Sequence, residues 1–436
     1  MEHQTTATYL GLFECLRSLL FSEDFKQRHR QKPTDFTRRR CLPFVLVVIF
    51  LLNMLKRALQ DELDEFFKLL EGSEIAVRLV TKSAFIQARQ KLKAEAFVEL
   101  NQAQVRYFYG HFEAATWHGF RLVAVDGSMS ELPDTEEVQA HFGVWHPASG
   151  RVCPKARLSQ MFDVLNHVTL DAKIAPKDEG ERDLAAAHFA HLEPGDLVLL
   201  DRGYPAFWLF ALILTQGANF CARMKLSGWK VVAQFVASGR QEQIVTLSAG
   251  ATALQECQAR HLSTRPLTLR LIRIELDNGE IEVLATSLLD DTRYPVSVFK
   301  ELYHFRWPVE EDYKVVKSRL EVENWSGKSV LAVYQDFHAK VFTKNLAAIL
   351  AQPAQKSVEQ ESQGKKYLYH VNMTHAFSKI KDTVVLLLQR PTIEPLLERL
   401  WFLITHTLEP VRPGRSSPRT KRVKPKKVAF SYKPVR

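Results

Sequence analysis

Cysteine is scarce: five residues in 436 (Cys15, Cys41, Cys153, Cys221 and Cys257), widely spaced and without a C-x-x-C pair. That set excludes a disulfide framework and a structural zinc site, and points to a reduced, cytoplasmic protein. No apolar run is long enough to cross a bilayer. CLPFVLVVIFLL (41–52) is flanked by Arg38-Arg39-Arg40 and Lys56-Arg57 and falls short of the roughly 20 residues a span needs, so it reads as a buried core helix. The first residues are polar and lack a basic n-region, so no secretory signal and no membrane partner is expected. Gly327-Lys328-Ser329 has Val322 where a phosphate loop requires glycine, which argues against a nucleotide cofactor. Acidic residues are missing from 411–436, which holds ten Lys or Arg, while the rest of the chain balances 49 basic against 49 acidic residues. The whole net charge of +10 therefore sits in a tail that reads as a disordered, polyanion-binding arm or a solubilising end.

What is present falls into blocks. Residues 1 to about 115 read as helical, since apolar positions recur at helical spacing and glycine and proline are rare. RQKPTDFTRRR (30–40) interrupts them as a basic loop, with Asp35 or Thr37 placed to cap the next helix. TKSAFIQARQKLKAEAF (81–97) puts Ser83, Gln87, Arg89, Gln90 and Lys91 on what would be exposed helix, either a DNA recognition helix or an ordinary solvated face. From 120 the texture turns to short apolar runs. FRLVAVDGS (120–128) reads as a strand closed by an Asp-Gly turn, followed by strands at 158–166 and 167–175, by DLVLLDRGYP (196–205), a strand running into Asp201 and a Gly/Pro turn, and by a strand at 219–225. DEGERDLAAAHFAHL (178–192) and FWLFALILTQG (207–217) are the helices among them. Residues 226–287 read as predominantly strands, with Asp277-Asn278-Gly279 as a hairpin signal, and helices return from Pro295. The expected fold class is multi-domain α/β. It has a helical domain over 1–115, a mixed-sheet core in 116–225 and 288–370, a β-rich insertion at 226–287, C-terminal helices at 371–410 and the basic tail.

In such sheets the functional crevice lies outside the carboxyl ends of parallel strands. Asp126 and Asp201 each end an apolar strand, and on neighbouring strands their carboxylates would meet at one rim. Glu310, on a later helix crossing that rim, would be a third. Clustered carboxylates repel one another unless a cation neutralises them. An all-oxygen set suits Mg²⁺ or Mn²⁺, and two such ions about 4 Å apart can drive phosphoryl transfer. Taken singly each residue is weak, because Asp-Gly after a strand is usually a turn and Glu310-Glu311 an ordinary solvated helix start.

YHFRWPVEEDYKVVK (303–317) adds the rest. Tyr303, Arg306, Glu310 and Lys317 fall within a sector of roughly 60° on one helix face if Pro308 bends the helix only mildly. A fresh helix start at Pro308 keeps only Glu310 and Lys317 together. The segment resembles the Y-x2-R-x3-E-x6-K signature of the DDE transposases of the insertion-sequence 4 family, and AVDGS and LLDRGYP resemble that family's two aspartate motifs. The resemblance spans about 20 to 436. It implies an RNase H-like core with a β-rich insertion, and Asp126, Asp201 and Glu310 as catalytic ligands of two Mg²⁺ (or Mn²⁺) ions. It also implies that Tyr303, Arg306 and Lys317 hold DNA phosphates. The implied activity is cut-and-paste transposition in a bacterial, nucleoid-associated setting: cleavage at the inverted repeats, then strand transfer into target DNA by a homodimer on double-stranded DNA. Related enzymes pass through a hairpin and stack a flipped base on an aromatic residue of the insertion; Trp229, the only tryptophan between 226 and 287, is the candidate, against the plainer reading of a core residue. The alternatives are a transposase-derived DNA-binding protein that no longer cuts and a metal-dependent nuclease without strand transfer.

Overall fold

A computed structural model describes residues 2–38, 40–146, 152–276 and 279–412. Asp277 and Asn278 of the hairpin signal, and the tail from 413 onward, lie outside the described residues. In chain order the elements begin with α1 (Glu2–Leu20), α2 (Glu23–His29), α3 (Phe44–Leu52), α4 (Leu59–Glu71), α5 (Lys82–Arg89) and α6 (Glu95–His111). Then come β1 (Arg121–Glu131), α7 (Glu136–Phe142), β2 (Val144–Trp145), β3 (Cys153–Asp163), β4 (Val168–Pro176), α8 (Glu181–His188), β5 (Asp196–Leu200), α9 (Phe207–Thr215) and β6 (Asn219–Met224). They continue with α10 (Lys230–Ala237), β7 (Glu242–Leu247), α11 (Ala251–Ala259), β8 (Leu267–Glu275), β9 (Ile281–Thr286), α12 (Val298–His304) and α13 (Pro308–Lys314). The chain closes with α14 (Val330–Ser362), β10 (Tyr369–Val371), α15 (Met373–Ile380), α16 (Thr383–Gln389), α17 (Glu394–Thr405) and β11 (Leu408–Pro410). Two units result: one of Met1–Glu113, Ser130–Ala156 and Lys314–Arg436, the other of Ala114–Met129 and Arg157–Tyr313.

The first unit is mainly helical and is organised around the 33-residue α14, which packs against α3, α6 and α17. α3 is the apolar run expected as a core helix; it is buried almost throughout, and no described helix is long and apolar enough to cross a membrane. Its N-cap is Pro43, not Asp35 or Thr37, whose side chains bond within the preceding loop to Lys32 N–H and Thr34 O. The basic α5 needs a correction too. Ser83, Gln87 and Gln90 are exposed, but Arg89 is only 3% exposed. Its guanidinium binds Gln335 Oε1 at 2.9 Å, Ser326 Oγ at 2.8 Å and Asp336 Oδ1 at 2.9 Å, so it fastens α5 to α14. A cleft of about 780 Å³ opens beside this joint, floored by Leu55, Leu59 and Ile86 and rimmed by Arg57, Lys82 and Lys328, with no carboxylate among its lining residues.

The second unit is built on a mixed sheet. Parallel β1, β5 and β6 form its centre, β3 and β4 extend it beyond β1, and β9, β8 and β7 continue it antiparallel from β6. All five residues of β5 are buried, as its near-continuous apolar sequence requires. Leu122, Ala124, Leu197 and Leu199 point into one core with Phe299 and Leu302 of α12 and Val309 of α13. The stretch 226–287 was expected as predominantly strands; it also forms α10 and α11, whose buried Val232, Phe235 and Cys257 supply the apolar contacts short helices need.

Candidate functional site

Strand register brings Asp126 and Asp201 together. The parallel ladder of β1 and β5 runs from Arg121↔Asp196 to Val125↔Leu200, so the two aspartates occupy the next position on adjacent strands. At the far end, Arg121 Nε and Nη2 each lie 2.7 Å from the Asp196 carboxylate, a bidentate pair that pins the register. Side chains alternate along a strand. Asp126 therefore follows Leu122 and Ala124, and Asp201 follows Leu197 and Leu199, onto the face that α12 and α13 cover. The turn expected at Asp126-Gly127 does not occur: β1 runs on to Glu131 because β3 remains beside it after β5 has ended.

Pro308 starts a new helix. α12 stops at His304, and a turn in which Arg306 N–H donates to Tyr303 O leads into α13. The break still leaves the side chains together. Arg306 Nη2 is 2.7 Å from Glu310 Oε1, and the Tyr303 hydroxyl is 3.4 Å from Asp201 Oδ1. The guanidinium carbon of Arg306 lies 5.7 Å from the Tyr303 ring centre and 5.8 Å from that of Trp307.

These groups share one electrostatic environment. Burial pushes the Asp126 carboxyl up to about 6; Gly127 N–H and the Arg306 cation pull it back, while Glu310 and Asp201 push it further. For Arg306, burial works downward, but the Glu310 hydrogen bond and the neighbouring Tyr303, Asp201 and Glu310 outweigh it and hold the pKa above its ordinary value. The three carboxylates do not converge on a point: among the described residues no three His, Cys, Asp or Glu side chains are grouped to hold a metal ion. Glu310 is turned to Arg306 instead. The donor chemistry, all carboxylate and with a partly buried aspartate whose charge is disfavoured, nevertheless fits a hard divalent cation.

Lys317 lies in the π-helical turn Val315–Arg319 of the first unit, half-buried; burial lowers its pKa, Glu323 opposes this and Lys155 adds to it. Trp229 is the half-buried N-cap residue of α10, its carbonyl accepting from Val232 and Ala233, and among the described residues no hydrogen bond or ring contact ties it to the carboxylates. The sequence reading missed three aromatic neighbours. The Tyr313 hydroxyl donates to Asp126 O at 2.9 Å. Tyr204 is buried, and its hydroxyl pKa is raised first by that burial and then by Asp126. Trp307 flanks Arg306 and is 43% exposed. Their spacing was a usable signal: Tyr204 stands three residues after Asp201, and Tyr313 one helical turn after Glu310. Elsewhere in the unit His188 bridges Asp171 (2.7 Å) and Ser159 (3.0 Å), an arrangement that looks catalytic but is buried throughout and serves to dock α8 on β3 and β4.

Known proteins resemble this chain over the same region. Residues 117–346, more than half of the chain, match the family described as Transposase DDE domain. The transposase InsG for insertion sequence element IS4 of Escherichia coli (strain K12) is 24% identical over 288 residues, 65% of this chain and 64% of its own. InsZ of the same strain, also named as a transposase, is 29% identical over 201 residues, 45% of this chain and 65% of its own. The chain thus spans just under two thirds of the length of these curated relatives. Among solved structures, a piggyBac transposase synaptic complex with hairpin DNA aligns over 94% of this chain and 88% of its own at a TM-score of 0.48 and 10% identity, too remote to support more. Given the extent of the domain match and the names of the relatives aligned to it, the chain belongs to the DDE transposases of the insertion-sequence 4 family.

Proposed function

We propose that this transposase binds the inverted repeats of an insertion sequence, cleaves there in a metal-dependent step and joins the freed end to target DNA. The observation that carries the reading is the register of β1 and β5, with Asp126 and Asp201 side by side just past the last rung and Glu310 within electrostatic reach. The order β4–β3–β1–β5–β6, with β5 and β6 parallel to β1, supports an RNase H-like core. Asp126, Asp201 and Glu310 would hold two Mg²⁺ (or Mn²⁺) ions. Bound there, such ions make water a stronger nucleophile and stabilise the leaving oxygen of a phosphodiester. For both Glu310 oxygens to serve, the carboxylate must leave Arg306, which holds only Oε1. The freed guanidinium, with Tyr303 beside it and Lys317 further along the chain, would then meet DNA phosphates.

The DNA partner draws further support from the cleft beside α5, whose lining includes Arg57, Lys82 and Lys328, although Arg57 also lies 3.7 Å from Glu62 Oε1. Two ends must be joined, so a homodimer is the expected working form. One observation favours the non-cutting alternative: Glu310 Oε1 is engaged with Arg306. End cleavage separates the two. Labelled flanking DNA and Mg²⁺ should yield nicks at a repeat boundary with the wild type, while Glu310→Ala binds but does not cut. Binding without cutting by the wild type would leave the inactive alternative.

A further inference from the structure

We propose that Tyr313 and Asp312 are positioning residues that set the distance between Glu310 and Asp126. This rests on the reading of those carboxylates as ion ligands. α13 starts at a proline and has only seven residues before it passes into the π-helical turn Val315–Arg319. Isolated helices shorter than about 12 residues are marginal in water, so the place of Glu310 depends on whatever holds this helix down.

Val309 supplies an apolar anchor. Two polar ties supply direction. Tyr313, 7% exposed, donates from its hydroxyl to the main-chain oxygen of Asp126 at 2.9 Å. Asp312, 9% exposed, accepts at Oδ2 from Gln160 Nε2 at 3.0 Å. Gln160 is not an arbitrary partner. Val164 N–H bonds to Leu122 O, and Leu132 N–H to Pro154 O, which sets an antiparallel register between β1 and β3 that places residue 160 opposite residue 126. Adjacent residues of one short helix therefore direct both polar groups to the rung that carries the first aspartate. The Tyr313 tie uses the carbonyl of Asp126 and leaves its carboxylate available. A core tyrosine needs some partner for its hydroxyl, but packing alone does not require two ties to meet on that rung.

The test uses the full-length protein and Mn²⁺ as the probe, read by electron paramagnetic resonance, beside thermal melting, end-DNA binding and the Mg²⁺ dependence of cleavage. Tyr313→Phe removes one oxygen and keeps the ring. Expected are end-DNA affinity within about twofold of wild type, Mn²⁺ binding weakened about tenfold and a cleavage midpoint moved to higher Mg²⁺ by a similar factor, the size typical of losing a supporting group behind a metal ligand. Asp312→Leu should behave likewise, whereas Asp312→Asn, which keeps an acceptor for Gln160, should stay near wild type. A Tyr313→Phe protein that melts lower yet keeps wild-type Mn²⁺ affinity and Mg²⁺ midpoint overturns the proposal and leaves Tyr313 a packing residue. A wild type that binds Mn²⁺ no better than Asp126→Asn fails one step earlier, on the carboxylate reading itself, and takes the proposal with it.

Discussion

Asp126 shows how a group suited to ion binding costs stability in the ion's absence. Its carboxyl is raised from 3.8 to about 6, first by burial and then by Glu310 and Asp201. Between those values the folded protein holds a proton that the unfolded chain has released. Stability therefore falls as pH rises through this window, and the full penalty applies above it. Two pKa units correspond to about 3 kcal/mol at most, and partial exposure brings a realistic figure to about 1–2 kcal/mol. Asp126→Asn, which cannot ionise, should melt higher than wild type by a few degrees at pH 7.5 without divalent ions, and lose that advantage near pH 4. Calorimetry at the two pH values checks this, and end cleavage should be lost at both. Equal melting of the two proteins at pH 7.5 would remove burial as the dominant influence on this group.

At the scale of elements, what could be read in the sequence was what depends on neighbours along the chain. The apolar run of α3, the strands β1 and β5 and the helix start at Pro308 announce themselves by period, length and breaker residues. The adjacency of Asp126 and Asp201 followed once their strands were placed side by side. What escaped depends on distant partners. Nothing around Arg89 signals that Asp336 and Gln335 bury it, so a basic helix looked exposed on every polar position. Nothing before β3 is laid beside β1 signals that Asp-Gly continues a strand. Tyr313 could be placed on the turn of Glu310, but not on the carbonyl of Asp126. α5 thus has two faces with separable roles. Arg89→Ala removes one partner of a buried pair and should destabilise the fold by about 3–5 kcal/mol. Lys82→Ala, at the exposed rim of the cleft, should change stability by less than about 0.5 kcal/mol and weaken DNA binding instead. Urea titration beside a DNA-binding curve for each variant decides it; the reverse pattern would make α5 a structural helix with a solvated face and nothing more.

For the whole molecule, charge is the property that no single element reveals. Residues up to 410 carry as many acidic as basic side chains, so on the proposed function any long-range attraction to DNA comes from local patches such as the cleft rim or from the C-terminal segment. Val411 N–H donates to Leu368 O at 2.8 Å, extending the pairing of β10 with β11, so a truncation meant to leave the fold intact should retain Arg412. Removing 413–436 deletes nine Lys or Arg and no acidic residue. Each phosphate neutralised adds about 0.9 to the slope of log K against log salt on duplex DNA. A segment engaging about half of its cations would thus account for roughly four units of that slope. The truncated protein should bind repeat and non-repeat DNA more weakly by similar factors and show a flatter salt dependence, while its preference for the repeat survives. That preference depends on base contacts, which a tail acting on phosphates does not supply. If the slope stays at its full-length value, the tail serves solubility, and the cations of residues 1–412 carry the attraction alone.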